Sequence, residues 1–138
     1  TIEMMEEACG TLDDIPVCNQ VEFHPYLDQS KLFTAATRLG IVLSAYCPLA
    51  KGQIFGDPII KMLAAKYDRS EAQIILRWIV QKGVSANPMS TKPENLRANL
   101  EALNFTLSAP DSATIDRLGE RGLRIVGKDR MPIAPEWD

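Results

Sequence analysis

The chain of 138 residues is 46% apolar and 24% charged, with a formal net charge of −3, the composition of one globular domain with its own core. Mild acidity gives no footing for nucleic acid or an anionic membrane surface as partner, and no apolar run approaches the roughly 18–20 residues that span a bilayer. Three cysteines, Cys9, Cys18 and Cys47, are odd in number and lack metal-ligand spacing, so they read as reduced thiols of a cytoplasmic protein without a metal site.

Thr1 is a candidate N-cap for a short helix with Ile2, Met5 and Ala8 inward, Glu3, Glu6 and Glu7 as a solvated face, and Gly10 as its stop. A chain that opens at a helix start, without a leader peptide, is expected to continue a longer upstream sequence. Next, VCNQVEF (17–23) alternates Val17, Asn19, Val21 and Phe23 with Cys18, Gln20 and Glu22, a strand with one unusually polar face. His24-Pro25 closes it, and His24, the single histidine, reads as a structural turn residue. Asp28 is expected to cap a helix over 29–39, which Gly40 ends.

The run IVLSAY (41–46) is apolar enough to serve a parallel strand covered on both faces. After Cys47-Pro48 comes a loop, LAKGQIFGDP (49–58), long enough to wrap a ligand or merely to connect. Helices follow over 58–67 and, behind a capping box of Ser70 and Gln73, through Gln81, with Ile74, Ile75, Trp78 and Ile79 turned inward. Gly83 opens a third strand, and a polar turn then leads into a helix. There Thr91 and Glu94 have capping-box spacing and Pro93 suits the first turn. The N–H groups of such a turn, beside the hydroxyls of Ser90 and Thr91, suit an anionic oxygen, although most turns of this kind bind nothing. Ser108 with Asp111 caps a last helix over 109–118, and 119–138 is expected to be an irregular tail.

Strands that alternate with helices imply βαβ units and a parallel sheet. Three strands alone leave two open edges. No strand is followed by G-x-G-x-x-G or a Walker loop, which argues against a dinucleotide-binding doubly wound sheet. Polar clusters stand at every strand end: Gln20 with Glu22, Tyr46 to Leu49, and Asn87 to Thr91. A (β/α)8 barrel of about 250 residues gathers its strand ends on one face. The expected fold is therefore α/β, a partial (β/α)8 barrel: its last three βα units plus a C-terminal helix and tail, filling 1–138.

NQVEFHPYLDQ (19–29), AYCPLAKG (45–52), the turn and helix from Ser90 to Asn99, and the closing APEWD (134–138) resemble the aldo-keto reductases over essentially the whole chain. The matching part is the C-terminal half of that family's barrel. The resemblance implies hydride transfer from NADP or NAD to an aldehyde or ketone, with a small carbonyl compound as substrate. It places Gln20 on the nicotinamide carboxamide, amide against amide, and Tyr46 stacked on the nicotinamide ring. Cys47, Pro48, Leu49 and Lys51 would line the pyrophosphate channel beneath a strap formed by 49–56, and Ser90, Thr91 and Asn99 would hold the adenosine end. Read as a residue alone, Tyr46 is more often a core aromatic, and only the motif raises it to a ligand contact.

Two departures follow. NADPH-preferring members carry Lys where this chain has Met89 and Arg where it has Asn95, so weaker or dual NADPH and NADH use is expected. The family's catalytic Asp, Tyr, Lys and His lie in the other half of the barrel, so no catalytic residue is assigned here and the chain alone is expected to be inactive. Its macromolecular partner is expected to be the missing N-terminal half or a second copy. The alternative is a non-catalytic half-barrel that binds or self-associates. Trp137 lines a substrate pocket or caps the barrel, with nothing in the sequence to choose between the two.

Overall fold

A computed structural model of the chain describes residues 1–137. The order is α1 (Ile2–Thr11), β1 (Cys18–Glu22), α2 (Ser30–Leu39), β2 (Val42–Tyr46), α3 (Pro58–Tyr67), α4 (Glu71–Gln81), β3 (Ser85–Ala86), α5 (Pro93–Glu101) and α6 (Ala109–Asp116), with short 3-10 turns at Ala50–Gly52, Ala102–Asn104 and Arg117–Arg121. The strands form one sheet in the order β1-β2-β3, and both pairings are parallel. β2 lies in the middle, so β1 and β3 each keep one open edge within the sheet.

Helix starts follow local chemistry closely. Thr1 caps α1, and Ser70 with Gln73 closes a reciprocal capping box on α4. Asp57 accepts from the N–H groups of Ile59 and Ile60 at the start of α3, where Pro58 needs no partner. Ser108 caps α6 through the N–H of Asp111. Gly10 does not stop α1, which runs one residue further because its Cα faces open space and nothing forces a turn there. The cap position of α2 is taken by Gln29 and not by Asp28, which sits one residue earlier with its Oδ1 accepting from the Ser30 N–H at 2.9 Å.

The capping box expected at Thr91 and Glu94 does not form. Pro93 keeps the preceding Lys92 extended (φ −96, ψ 121), so Lys92 takes the cap position and no side chain reaches the first turn of α5. Ser90 instead accepts from the Lys92 N–H. The last helix is also shorter than expected, since its final turn tightens to 3-10 from Arg117.

The core occupies one face of the sheet. Leu43, Ala45 and Val84 are 2%, 0% and 1% exposed, and Phe23 packs against Trp78 of α4 with ring centroids 5.5 Å apart. The other face carries, by the two-residue strand period, Cys18, Gln20 and Glu22 beside Val42, Ser44 and Tyr46. The middle of β2 is buried on both faces, at Leu43 and Ala45 on one and at Ser44 on the other, while Val42 at its start is 48% exposed. The tail from Gly122 is irregular, but it is not loose. Leu123 donates its N–H to the Tyr26 carbonyl at 2.8 Å, and the N–H groups of Ile125 and Val126 reach Glu22.

Candidate functional site

The sheet face opposite the main core is the chemically distinctive surface of the molecule. Gln20 lies opposite Ser44 in register and Glu22 opposite Tyr46, so their four side chains form a polar block across two strands. Asn87, just past β3, extends the block by donating from Nδ2 to Ser44 Oγ at 2.7 Å. Gln20, Glu22 and Tyr46 line a cavity of about 350 Å³, closed over by Arg124 and Trp137 from the tail and by Met4, Met5 and Ala8 of α1.

Glu22 is the fixed point of this block. Its carboxylate is buried and accepts three hydrogen bonds: from His24 Nε2 (2.9 Å), the Ile125 N–H (2.6 Å) and the Val126 N–H (2.9 Å). Burial alone would push its pKa up, but the His24 hydrogen bond and the two backbone N–H groups outweigh that, and the carboxyl lies below its ordinary value of 4.5. Because Glu22 already accepts from two amides, the His24 ring must donate through Nε2. Its Nδ1 is buried without a partner among the described residues. His24 therefore serves as a turn-forming brace of the buried acid, in keeping with the role expected from the sequence.

A second buried acid steadies the tail. Asp57 accepts from the Tyr26 hydroxyl at 2.8 Å and from Arg121 at 2.7 Å, while the Arg121 guanidinium lies 4.1 Å from the centre of the Tyr26 ring. Gln20 and Tyr46 contrast with these saturated groups. Neither side chain makes a hydrogen bond within the described residues, so the amide's donor and acceptor and the phenol are available to a ligand. The Tyr46 phenol is pushed up by burial and by the Glu22 charge, against a smaller pull from Arg124, and so stays neutral at physiological pH.

The other candidates named from the sequence are spread over three places. Cys47, Pro48, Leu49 and Lys51 lie in the loop after β2, outside the cavity; Pro48 is buried and Lys51 exposed. That loop is strained, because Cys47, Ala50 and Lys51 all have positive φ (49, 47 and 51) without being glycine. Burial pushes the Cys47 thiol up, which makes it a packing group and not a thiolate nucleophile. Ser90 and Thr91 stand in the turn before α5, and Asn99 lines a separate apolar groove with Leu96, Leu100 and Leu103. Met89 is 92% exposed.

Residues 1–120 match the profile of the aldo/keto reductase family. The chain belongs to that family. It is 39% identical over its whole length to methylglyoxal reductase DkgB of Escherichia coli O157:H7, covering 51% of that protein, and 38% identical to an uncharacterized oxidoreductase of Caenorhabditis elegans over 91% of this chain and 39% of the other. Among solved structures, a putative 2,5-diketo-D-gluconic acid reductase B superposes over the whole chain with a TM-score of 0.94 at 34% identity, covering 49% of that structure. The chain thus spans about half the length of the relatives it matches.

One of the solved neighbours, 33% identical over 84% of this chain, holds NADPH. The sequence marked Gln20 and Tyr46 as ligand contacts and Glu22 as part of a strand-end polar cluster, but not Arg124 or Asp57. The polar alternation of β1 was the available signal for Glu22. Nothing local marks Arg124, because its position depends on a tail anchored about a hundred residues from its partner.

Proposed function

We propose that this chain is the cofactor-binding half of an NAD(P)H-dependent aldo-keto reductase, built as the last three βα units of a (β/α)8 barrel. The observation that carries this reading is the pair of unengaged side chains, Gln20 and Tyr46, on one polar sheet face and diagonal in register, lining a single cavity. A nicotinamide cofactor, when bound, supplies the hydride that reduces an aldehyde or ketone to an alcohol. A free amide matches the donor–acceptor pair of a carboxamide, and a neutral phenol offers a flat face for a planar ring. The residues present therefore fit the group.

The turn before α5 fits the adenosine end. No side chain caps that helix; Pro93 has no N–H and those of Asn95 and Leu96 donate to the Lys92 carbonyl, so the Glu94 N–H is the first-turn donor left for an anionic oxygen, with Ser90 and Thr91 beside it and Asn99 further along the helix. Cys47, Pro48, Leu49 and Lys51 shape the strap between the two ends. With Met89 and Asn95 in place of cations, the grip on a 2′-phosphate is weak, and NADPH and NADH bind within about tenfold of each other, roughly one unlike ion pair.

The family resemblance puts the proton donor in the other half of the barrel, so carbonyl reduction needs that half. The relatives' names point to small dicarbonyl compounds such as methylglyoxal as first substrates to try. The full protein carrying this chain should oxidise NADPH with methylglyoxal, and Tyr46→Ala should weaken cofactor binding at least tenfold by fluorescence titration. The 138-residue chain alone should give no turnover. Absence of cofactor binding by the full protein sinks the proposal, and turnover by the isolated chain sinks its half-barrel form.

An alternative function, self-association of the half-barrel, draws support from one observation. Leu12, Ile15 and Val17, leading into the open edge of β1, are 57%, 59% and 80% exposed.

A further inference from the structure

Resting on the reading just given, we propose that Glu22 is a positioning residue of the reaction. Braced by His24, it acts through the two tail amides it holds, keeping the roof of the cavity fixed and so setting how tightly a carbonyl compound is held beneath it. Glu22 is 1% exposed and His24 0%. The carboxylate is fully engaged: Oε1 accepts from His24 Nε2 at 2.9 Å and from the Ile125 N–H at 2.6 Å, and Oε2 from the Val126 N–H at 2.9 Å. A carboxylate is costlier to bury than an apolar side chain of its size, so packing alone does not call for one. An acid does one thing here that an apolar residue cannot. It accepts from two consecutive amides of an irregular segment, on both of its oxygens.

The tail is pinned along its first residues. Arg121 is held by Asp57, Leu123 by the Tyr26 carbonyl, and Ile125 and Val126 by Glu22. Beyond Val126, the hydrogen bonds of the tail among the described residues stay within it. The Arg130 and Met131 N–H groups reach the Gly127 carbonyl, the Ala134 N–H reaches the Met131 carbonyl, and Lys128 pairs with Glu136. Arg124, inside the pinned segment, lies 4.7 Å from the centre of the Trp137 ring. The roof residues Pro135 and Trp137 therefore take their place over Gln20 and Tyr46 from the segment that Glu22 fastens. A roof ordered in advance spares a small ligand the entropy of closing it.

Glu22→Gln tests this. The variant keeps the size of the side chain, but its NH2 group faces a donor where a carboxylate oxygen stood, so one tail amide loses its partner. In the full protein, peptides over 122–137 should exchange their amide hydrogens about tenfold faster in E22Q, while peptides over α4 keep wild-type protection and report a folded variant. KM for methylglyoxal should rise about tenfold, with kcat and NADPH affinity within about twofold of wild type. The full protein truncated after Leu123 should show the same raised KM, and adding E22Q to it should change KM by less than about twofold, because nothing is left to act through. Where the truncated protein does not fold, exchange and KM of E22Q decide. Wild-type exchange in the E22Q tail, a loss of kcat at unchanged KM, or an equal effect of E22Q with and without the tail would each overturn the proposal. A full protein that neither binds NADPH nor turns over methylglyoxal sinks the proposed function instead, and the exchange measurement still shows whether Glu22 holds the tail.

Discussion

At the scale of single residues, Glu22 shows how a buried charge is made tolerable. Desolvation alone would raise its pKa, but three donors saturate the carboxylate and overcome that, so it titrates below 4.5 in the folded chain. A group whose folded pKa is depressed contributes stability above its unfolded value and loses it as pH falls through the folded one. The urea midpoint of the wild type should therefore drop as pH is lowered below about 4.5, and more steeply than that of Glu22→Gln, which removes the titration. Parallel pH profiles for the two would refute this. Removing the side chain altogether, in Glu22→Ala, should cost about 3–5 kcal/mol, because the two amides and His24 are then left buried and unpaired.

At the scale of elements, the loop after β2 departs furthest from what the sequence led one to expect. Its residues read as a loop that wraps a ligand or merely connects, with no sign of strain, yet Cys47, Ala50 and Lys51 occupy the left-handed region, at about 1–2 kcal/mol each. Lys51→Gly relieves one of these while adding unfolded-state freedom, so a net gain of about 0.5–1 kcal/mol in chemical denaturation is expected. A loss of stability would show that the Lys51 side chain itself holds the loop. Other elements were legible because their signals are local: the Ser70–Gln73 capping box, the inward face of Ile74, Ile75, Trp78 and Ile79, and the Pro58 start of α3 all depend on neighbours a turn away. The Thr91 cap failed for an equally local reason, the restriction that Pro93 places on Lys92. What could not be read was anything requiring the tail, since the partners of Ile125 and Val126 lie at the far end of the chain.

At the scale of the whole molecule, the sheet is flanked by apolar surface at both ends. Leu12, Ile15 and Val17 flank the β1 side, and Leu96, Leu100 and Leu103 on the β3 side are 47%, 69% and 54% exposed. A sheet with two open edges and apolar flanks associates with whatever strand is offered. Val17→Lys should therefore lower the concentration-dependent association of the isolated chain in sedimentation velocity while leaving its thermal midpoint within a few degrees. Unchanged association would place the contact elsewhere. Among the described residues no helix is long and apolar enough to cross a membrane.

The tether between Glu22 and the tail has a further consequence, for the order in which the protein is made. The amides that neutralise this acid are 103 and 104 residues away, beyond the portion that matches the family profile. At about 5–20 residues per second, β1 is synthesised roughly 5–20 seconds before residues 125 and 126 exist. Throughout that interval Glu22 lacks the two amides that hold its carboxylate in the folded chain. A nascent chain stalled before Arg124 is then a chain with a wet, open sheet, and cellular quality control would meet it as unfinished.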